Sequence, residues 1–148
     1  NLEAATTLRI ANDCQNVVAI KEASGKIDQV NEIITKAPKG FEVISGDDGL
    51  TLDIINKGGV GVISVLGNVY PAEFKAMVHA GLNQDLEKAT AIHNKFTEMY
   101  KLLAVDGNPS GVKCFLSARE MIENHLRLPL VSVRSETKQN IERFVNDF

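Results

Sequence analysis

Lys21 follows the apolar run Val17-Val18-Ala19-Ile20. A lysine at the exit of a buried strand loses hydration, which favours the neutral amine and makes it a nucleophile toward a carbonyl carbon. The plainer reading is a lysine that snorkels from the sheet edge into water, and position alone favours it. Asp47 and Asp48 are adjacent carboxylates of the kind that hold Mg²⁺ with a phosphate or oxyacid. They equally suit N-capping of a helix starting near Gly49, the commoner use of such residues. Ser45-Gly46 would let a ligand come close to bare backbone, as would any tight turn. Gly58-Gly59-Val60-Gly61 precedes a strand instead of opening a helix after one, so it is neither a dinucleotide fingerprint nor a P-loop. His79, His93 and His125 read as isolated residues on helices, each without a second ligand at i+3 or i+4. No Gly-x-Ser-x-Gly elbow is present to supply a serine nucleophile.

The elements that must position these groups alternate over the first 80 or so residues. Leu2 to Asn12 reads as a short helix. Strands are expected at 17–21, 41–45 and 60–66, each a continuous Val/Ile-rich run of the type buried on both faces. Between them, Ile27, Val30, Ile33 and Ile34, and then Leu50, Leu52, Ile54 and Ile55, lie at helical spacing. Pro38 with Gly40, and Gly58 with Gly59, stop those helices. Pro71 suits the first turn of a helix that runs through Phe74, Met77 and Val78 to Gly81. Three successive strand–helix units predict a parallel sheet with helical crossovers. Lys21 to Ser24, Ser45 to Asp48 and Gly67-Asn68 fall at the carboxyl ends of the three strands. That is the edge where α/β folds bind ligands.

From Asp85 the strand pattern stops. Leu86, Ala89, His93, Phe96, Tyr100 and Leu103 share one helical face. A second helix is expected from Asn108-Pro109 through Ile122. A third, N-capped by Ser135, carries Ile141, Phe144, Val145 and Phe148.

Composition removes several function classes. With 16 Lys+Arg against 19 Asp+Glu the net charge is −3, and no basic cluster offers a nucleic-acid surface. Cys14 and Cys114 stand a hundred positions apart without a CxxC or Cys/His spacing, which argues against a zinc module or a disulfide scaffold. No apolar run reaches the ~18 residues of a membrane span. The chain opens on Asn within a helical pattern, and so reads as starting inside a larger unit.

Four blocks then carry a resemblance: Val18-Ala19-Ile20-Lys21-Glu22-Ala23-Ser24-Gly25, Ser45-Gly46-Asp47-Asp48, Gly61-Val62-Ile63-Ser64-Val65, and Asn108-Pro109 with Val112-Lys113. Their order and spacing over the whole chain resemble the dihydrodipicolinate synthase family, and Leu126-Arg127-Leu128-Pro129 further favours it. N-acetylneuraminate lyase and the 2-keto-3-deoxy sugar-acid aldolases share the lysine and the barrel, and stand as alternatives.

The resemblance implies a C-terminal part of a (β/α)₈ barrel in residues 1–84, followed by a three-helix domain in residues 85–148. It implies that Lys21 forms a Schiff base with pyruvate, and that Ile63 and Gly46 line the pyruvate pocket. It implies condensation of pyruvate with aspartate semialdehyde on the route to diaminopimelate and lysine. No metal and no organic cofactor is implied. The family context is a cytoplasmic homotetramer. A family barrel has ~250 residues, and its carboxylate-binding threonines, tyrosine relay and most of its lysine-sensing site precede the position of Asn1. The 148 residues alone are therefore expected to turn over little or no substrate. Two readings of other classes remain: a non-catalytic barrel fragment that self-associates, and a metal-assisted enzyme using Asp47 and Asp48.

Overall fold

The computed structural model describes residues 1–148. Three strands, β1 (Ala19–Glu22), β2 (Glu42–Ser45) and β3 (Gly61–Val62), form one parallel sheet in the order β1-β2-β3. Helices α1 (Ala4–Asp13), α2 (Ile27–Lys36), α3 (Thr51–Asn56) and α4 (Pro71–Leu82) precede, connect and follow the strands. Then come α5 (Leu86–Lys95), α6 (Thr97–Val105), α7 (Ser110–Ala118) and α8 (Ser135–Asp147). The class is α/β, as expected. No helix is long and apolar enough to cross a membrane.

Register explains which side chains are hidden. Ile20 pairs with Val43, and Glu22 with Ser45; Lys21 pairs with Ile44, and Ile44 with Gly61. Side chains alternate along a strand, so Ile20, Glu22, Val43 and Ser45 turn toward the helices. Val43, Glu22 and Ser45 are buried there, and Val30 and Ile33 of α2, one turn apart, pack with Val43, Ile54 and Ala4. Ala19, Lys21, Glu42 and Ile44 occupy the other face, where Lys21 and Glu42 are exposed. The strands were expected to be buried on both faces. In this chain helices cover one face only.

The third strand is shorter than the expected 60–66. Ile63 N–H still donates to the Ser45 carbonyl at 2.9 Å, but Leu66–Asn68 is a 3₁₀ turn. Asp48 Oδ2 accepts the N–H groups of Val65 (3.1 Å) and Leu66 (2.8 Å), and Ser64 Oγ accepts that of Gly67 (2.7 Å). Side chains thus take the backbone donors that a longer strand would offer to a neighbour.

Beyond residue 85 the structure has four helical segments where three were expected. A break at Phe96 divides 86–105 into α5 and α6. Helix α7 ends at Ala118, short of Ile122, because Glu120 adopts φ 58° and Met121 N–H turns back to Leu116. Ser135 is the first residue of α8, not its cap; Arg134 precedes it without a side-chain capping bond. Asp106 ties the end of α6 to this start, accepting Arg134 N–H at 2.9 Å and Arg134 Nε at 2.7 Å. The Thr137 hydroxyl and these Arg134 contacts hold the Asp106 carboxyl below its usual range.

The main core runs through α3, α4 and the later helices, with Leu66, Met77, Phe96, Met99, Phe115 and Ile141 fully buried. Helix α4 reaches α3 closely because of Gly81. A Cβ there would stand 3.2 Å from Leu52 Cδ1 and 3.3 Å from Ile55 Cγ2.

Candidate functional site

The carboxyl ends of β1, β2 and β3 lie side by side, and their loops are joined by short hydrogen bonds. Gly46 N–H donates to the Glu22 carbonyl at 2.7 Å, and Ile63 N–H to that of Ser45. Asp48 then spans from the loop after β2 to the turn after β3. Lys21 emerges on the uncovered face of the sheet with its aliphatic chain beside Gly46: an ideal Cβ on residue 46 would be 3.0 Å from Lys21 Cε. The structure therefore brings Lys21 and Gly46 together. Ile63 joins the same rim, 52% exposed, two strand spacings (roughly 10 Å) from β1. Lys21 is exposed in this chain, not partly desolvated as its apolar run suggested, because nothing covers this face.

The remaining polar groups brace this rim. Glu22 is only 4% exposed. Its carboxylate accepts Ser24 N–H at 3.2 Å and Gln29 Nε2 at 2.9 Å, and the same Nε2 donates to Leu2 O at 3.1 Å. Ser45 Oγ donates to the Asp47 carbonyl (2.8 Å), and Thr51 Oγ1 donates to that carbonyl (2.7 Å). Asp47 Oδ1 accepts Leu50 N–H at 3.0 Å just before α3, but the helix begins at Thr51 and not near Gly49, its cap position is Leu50, and neither Asp47 nor Asp48 caps it as expected. Asp48 Oδ2 is spent on the β3 turn, while its Oδ1 is buried without a partner. Each carboxylate thus fastens backbone. No group of three or more His, Cys, Asp or Glu side chains is gathered anywhere in the chain.

Tyr100 of α6 reaches over from the helical half, its ring carbons 3.7 Å from an ideal Cβ on Gly49. Burial raises the Tyr100 phenol, and the negative charges of Asp48 and Asp47 raise it further. Its hydroxyl lies 3.3 Å from His93 Nδ1, and burial lowers the His93 pKa against the pull of Asp53. His79 and His93 sit on helices as expected; His125 instead lies in the irregular segment between α7 and α8, beside Glu123. A cavity of about 660 Å³ lies elsewhere, between α4, α5 and α8 and lined by Glu73, Ile92, Lys95 and Phe144. The strand ends form an open rim, not a closed pocket.

Glu22 has a task that its residue type does not announce. Strand alternation was the available signal, since the neighbour of a residue on the open face must turn inward. The task of Asp48 had no local signal, because its partners lie 17 and 18 positions away, and neither had the reach of Tyr100 to Gly49, on the far side of the chain's midpoint.

Comparison with known proteins bears on the chain as a whole. The Dihydrodipicolinate synthetase family matches residues 1–147. The chain belongs to this family. The 4-hydroxy-tetrahydrodipicolinate synthase of Phocaeicola vulgatus is 52% identical over 147 residues, 99% of this chain and 50% of that protein. A crystal structure of dihydrodipicolinate synthase from Thermotoga maritima superposes with a TM-score of 0.95 at 37% identity, covering 99% of this chain and 51% of the other. A crystal structure of the chloride-inhibited dihydrodipicolinate synthase from Acinetobacter baumannii, complexed with pyruvate, gives 0.93 at 26% identity, covering 99% and 50%. The family is the one that the Lys21, Gly46 and Ile63 blocks resemble. The chain spans about half the length of the relatives it matches.

Proposed function

We propose that the chain is the C-terminal portion of a 4-hydroxy-tetrahydrodipicolinate synthase, and that Lys21 is its imine-forming residue. The observation that carries this is the placement of Lys21: a lone amine at the carboxyl end of a parallel strand, on the face left free, beside a backbone stripped of side chain at Gly46. Family membership supports the substrate, and the pyruvate complex of the Acinetobacter relative supports the ketoacid.

The neutral Lys21 amine attacks the ketone carbon of pyruvate, and water leaves. The resulting protonated imine draws electrons from the methyl group, which gives up a proton and becomes the enamine carbon. That carbon attacks the aldehyde of aspartate semialdehyde, whose oxygen takes up a proton. Release of Lys21 then requires water or an amine of the adduct to displace it. The imine itself is the electron sink, so the chemistry calls for no metal and no organic cofactor. Gly46 and Ile63 form one wall of the pyruvate site in this reading. Residues 1–84 are the barrel segment and 85–148 the helical domain of a cytoplasmic enzyme, a homotetramer at full length.

Borohydride reduction with pyruvate tests the assignment. The adduct is expected on the peptide that contains Lys21, and labelling that persists in Lys21→Ala would assign the chemistry to another amine. An association reading is favoured by a separate observation: β1 and β3 each have one unpaired edge, and Val18 (62%) and Ile63 (52%) are exposed. Open edges and apolar surface of this kind recruit a second chain. Sedimentation of the 148-residue chain should show concentration-dependent association; a monomer at all concentrations would rule it out.

A further inference from the structure

We propose that Gly46 is a positioning residue for Lys21: the missing side chain at 46 leaves the lane in which the lysine chain lies across the end of β2. The inference rests on the reading of Lys21 as the imine-forming residue, and adds what holds that amine in place.

Backbone conformation does not explain a glycine at this position. Gly25, Gly40, Gly58 and Gly107 have φ between 74° and 111°, a region other residues avoid, whereas Gly46 is not among the positive-φ residues. Space does explain it. An ideal Cβ at 46 would stand 2.7 Å from Ala23 Cβ, 3.0 Å from Lys21 Cε and 3.1 Å from the Glu22 carbonyl oxygen. Non-bonded carbons settle at about 3.5–4.0 Å. Not every glycine is crowded in this way, since at Gly61 the same construction meets nothing within 4 Å.

Neither neighbouring backbone is free to withdraw. Gly46 N–H is bonded to the Glu22 carbonyl at 2.7 Å. Ser45, just before it, is fully buried and fastened to the Asp47 backbone. Across the gap, the buried Glu22 carboxylate is held by Ser24 N–H and Gln29. Of the three groups that a Cβ would meet, only the Lys21 chain can rotate away. It would do so into the open face, carrying Nζ from the place where it meets the ketone.

The test uses the native protein that carries these residues, in wild-type form and as Gly46→Ala, Ala23→Gly and the double variant. Two quantities are read: the rate of borohydride-trapped pyruvate adduct on Lys21, and the thermal midpoint. Gly46→Ala is expected to lower both, with trapping slower by roughly 10- to 100-fold for a displacement of about an ångström. Ala23→Gly removes the 2.7 Å partner, the one carbon side chain that cannot rotate away, so the double variant folds with a recovered midpoint. Its trapping should stay slow, because the contact with Lys21 Cε remains. Ala23→Gly alone should trap near the wild-type rate. Wild-type trapping in Gly46→Ala, or recovery of both quantities in the double variant, would overturn the positioning role while leaving the imine assignment intact. Absence of any adduct on Lys21 in the wild-type protein would overturn the imine reading, and this proposal with it.

Discussion

Around Phe96, Phe115 and Ile141 the chain buries its side chains completely, whereas around Lys21, Ile44 and Ile63 it leaves one face of a sheet without helices over it. The first region gathers sixteen buried apolar residues, with Phe115 and Phe144 edge to face at 5.8 Å and Phe74 and Phe96 at 6.1 Å. The sheet cluster has five, all on the helix side. The difference separates two duties. The helical region supplies most of the buried apolar core, and the open rim carries an exposed amine on strand ends that are tied to one another by hydrogen bonds to backbone. A substitution should therefore affect folding or chemistry according to its region.

The largest effect expected is in chemistry alone. Lys21→Ala should abolish the pyruvate adduct while shifting stability by no more than about 0.5 kcal/mol, as exposed positions do. Lys21→Arg should abolish it too, since guanidinium stays protonated and is no nucleophile. A large fall in midpoint on either change would break the division. Next is the 148-residue chain assayed by itself with pyruvate and aspartate semialdehyde. Turnover should fall short of that of a full-length relative by roughly 10²–10⁴-fold, the size of an acid–base contribution, and adding the N-terminal half of a relative should restore it. Near-normal turnover by the chain alone would show that the open rim is already complete.

Phe96→Ala reverses the pattern. Removing a fully buried ring should cost about 3–5 kcal/mol in denaturant unfolding, with unchanged trapping per folded molecule. The smallest effect lies at Asp106, whose carboxyl is held low first by the Thr137 hydroxyl and then by Arg134. A depressed carboxyl stabilises the fold above its unfolded pKa of ~3.9, and that contribution disappears as pH falls through the lower native value. Asp106→Asn should lower the midpoint slightly at pH 7, and the gap should close in acid. A gap that widened in acid would reverse the sign of the contact.

The two regions also differed in how far they could be read from residue order. The first two strands and the helices bearing Val30 with Ile33, and Phe74 with Met77, were visible because periodicity is local. The rim was visible in its residues but not its wiring. Val60 to Leu66 reads as one strand until Asp48, seventeen positions earlier, takes the N–H groups of Val65 and Leu66. The expectation of strands buried on both faces failed for a similar reason. An all-apolar run says what a strand tolerates, and only the assembled neighbours decide whether both faces are covered. The break at Phe96 had no signal, since Leu86, Ala89, His93, Phe96, Tyr100 and Leu103 continue one helical stripe across it.

Tyr100 against Gly49, and Tyr70 beneath the Arg119 guanidinium at 4.3 Å, have an optical consequence. The chain has two tyrosines and no tryptophan, so with excitation beyond the phenylalanine band its emission comes from these two rings. One sits beside the loop that carries Asp47 and Asp48, and the other within the aromatic cluster, where Phe148 lies 4.3 Å away. Tyrosine emission from the unmodified chain thus reports on the seam between sheet and helices. A tryptophan introduced at Ile44 would be the sole indole, and its spectrum would shift to the blue when a partner chain covers the free face of the sheet.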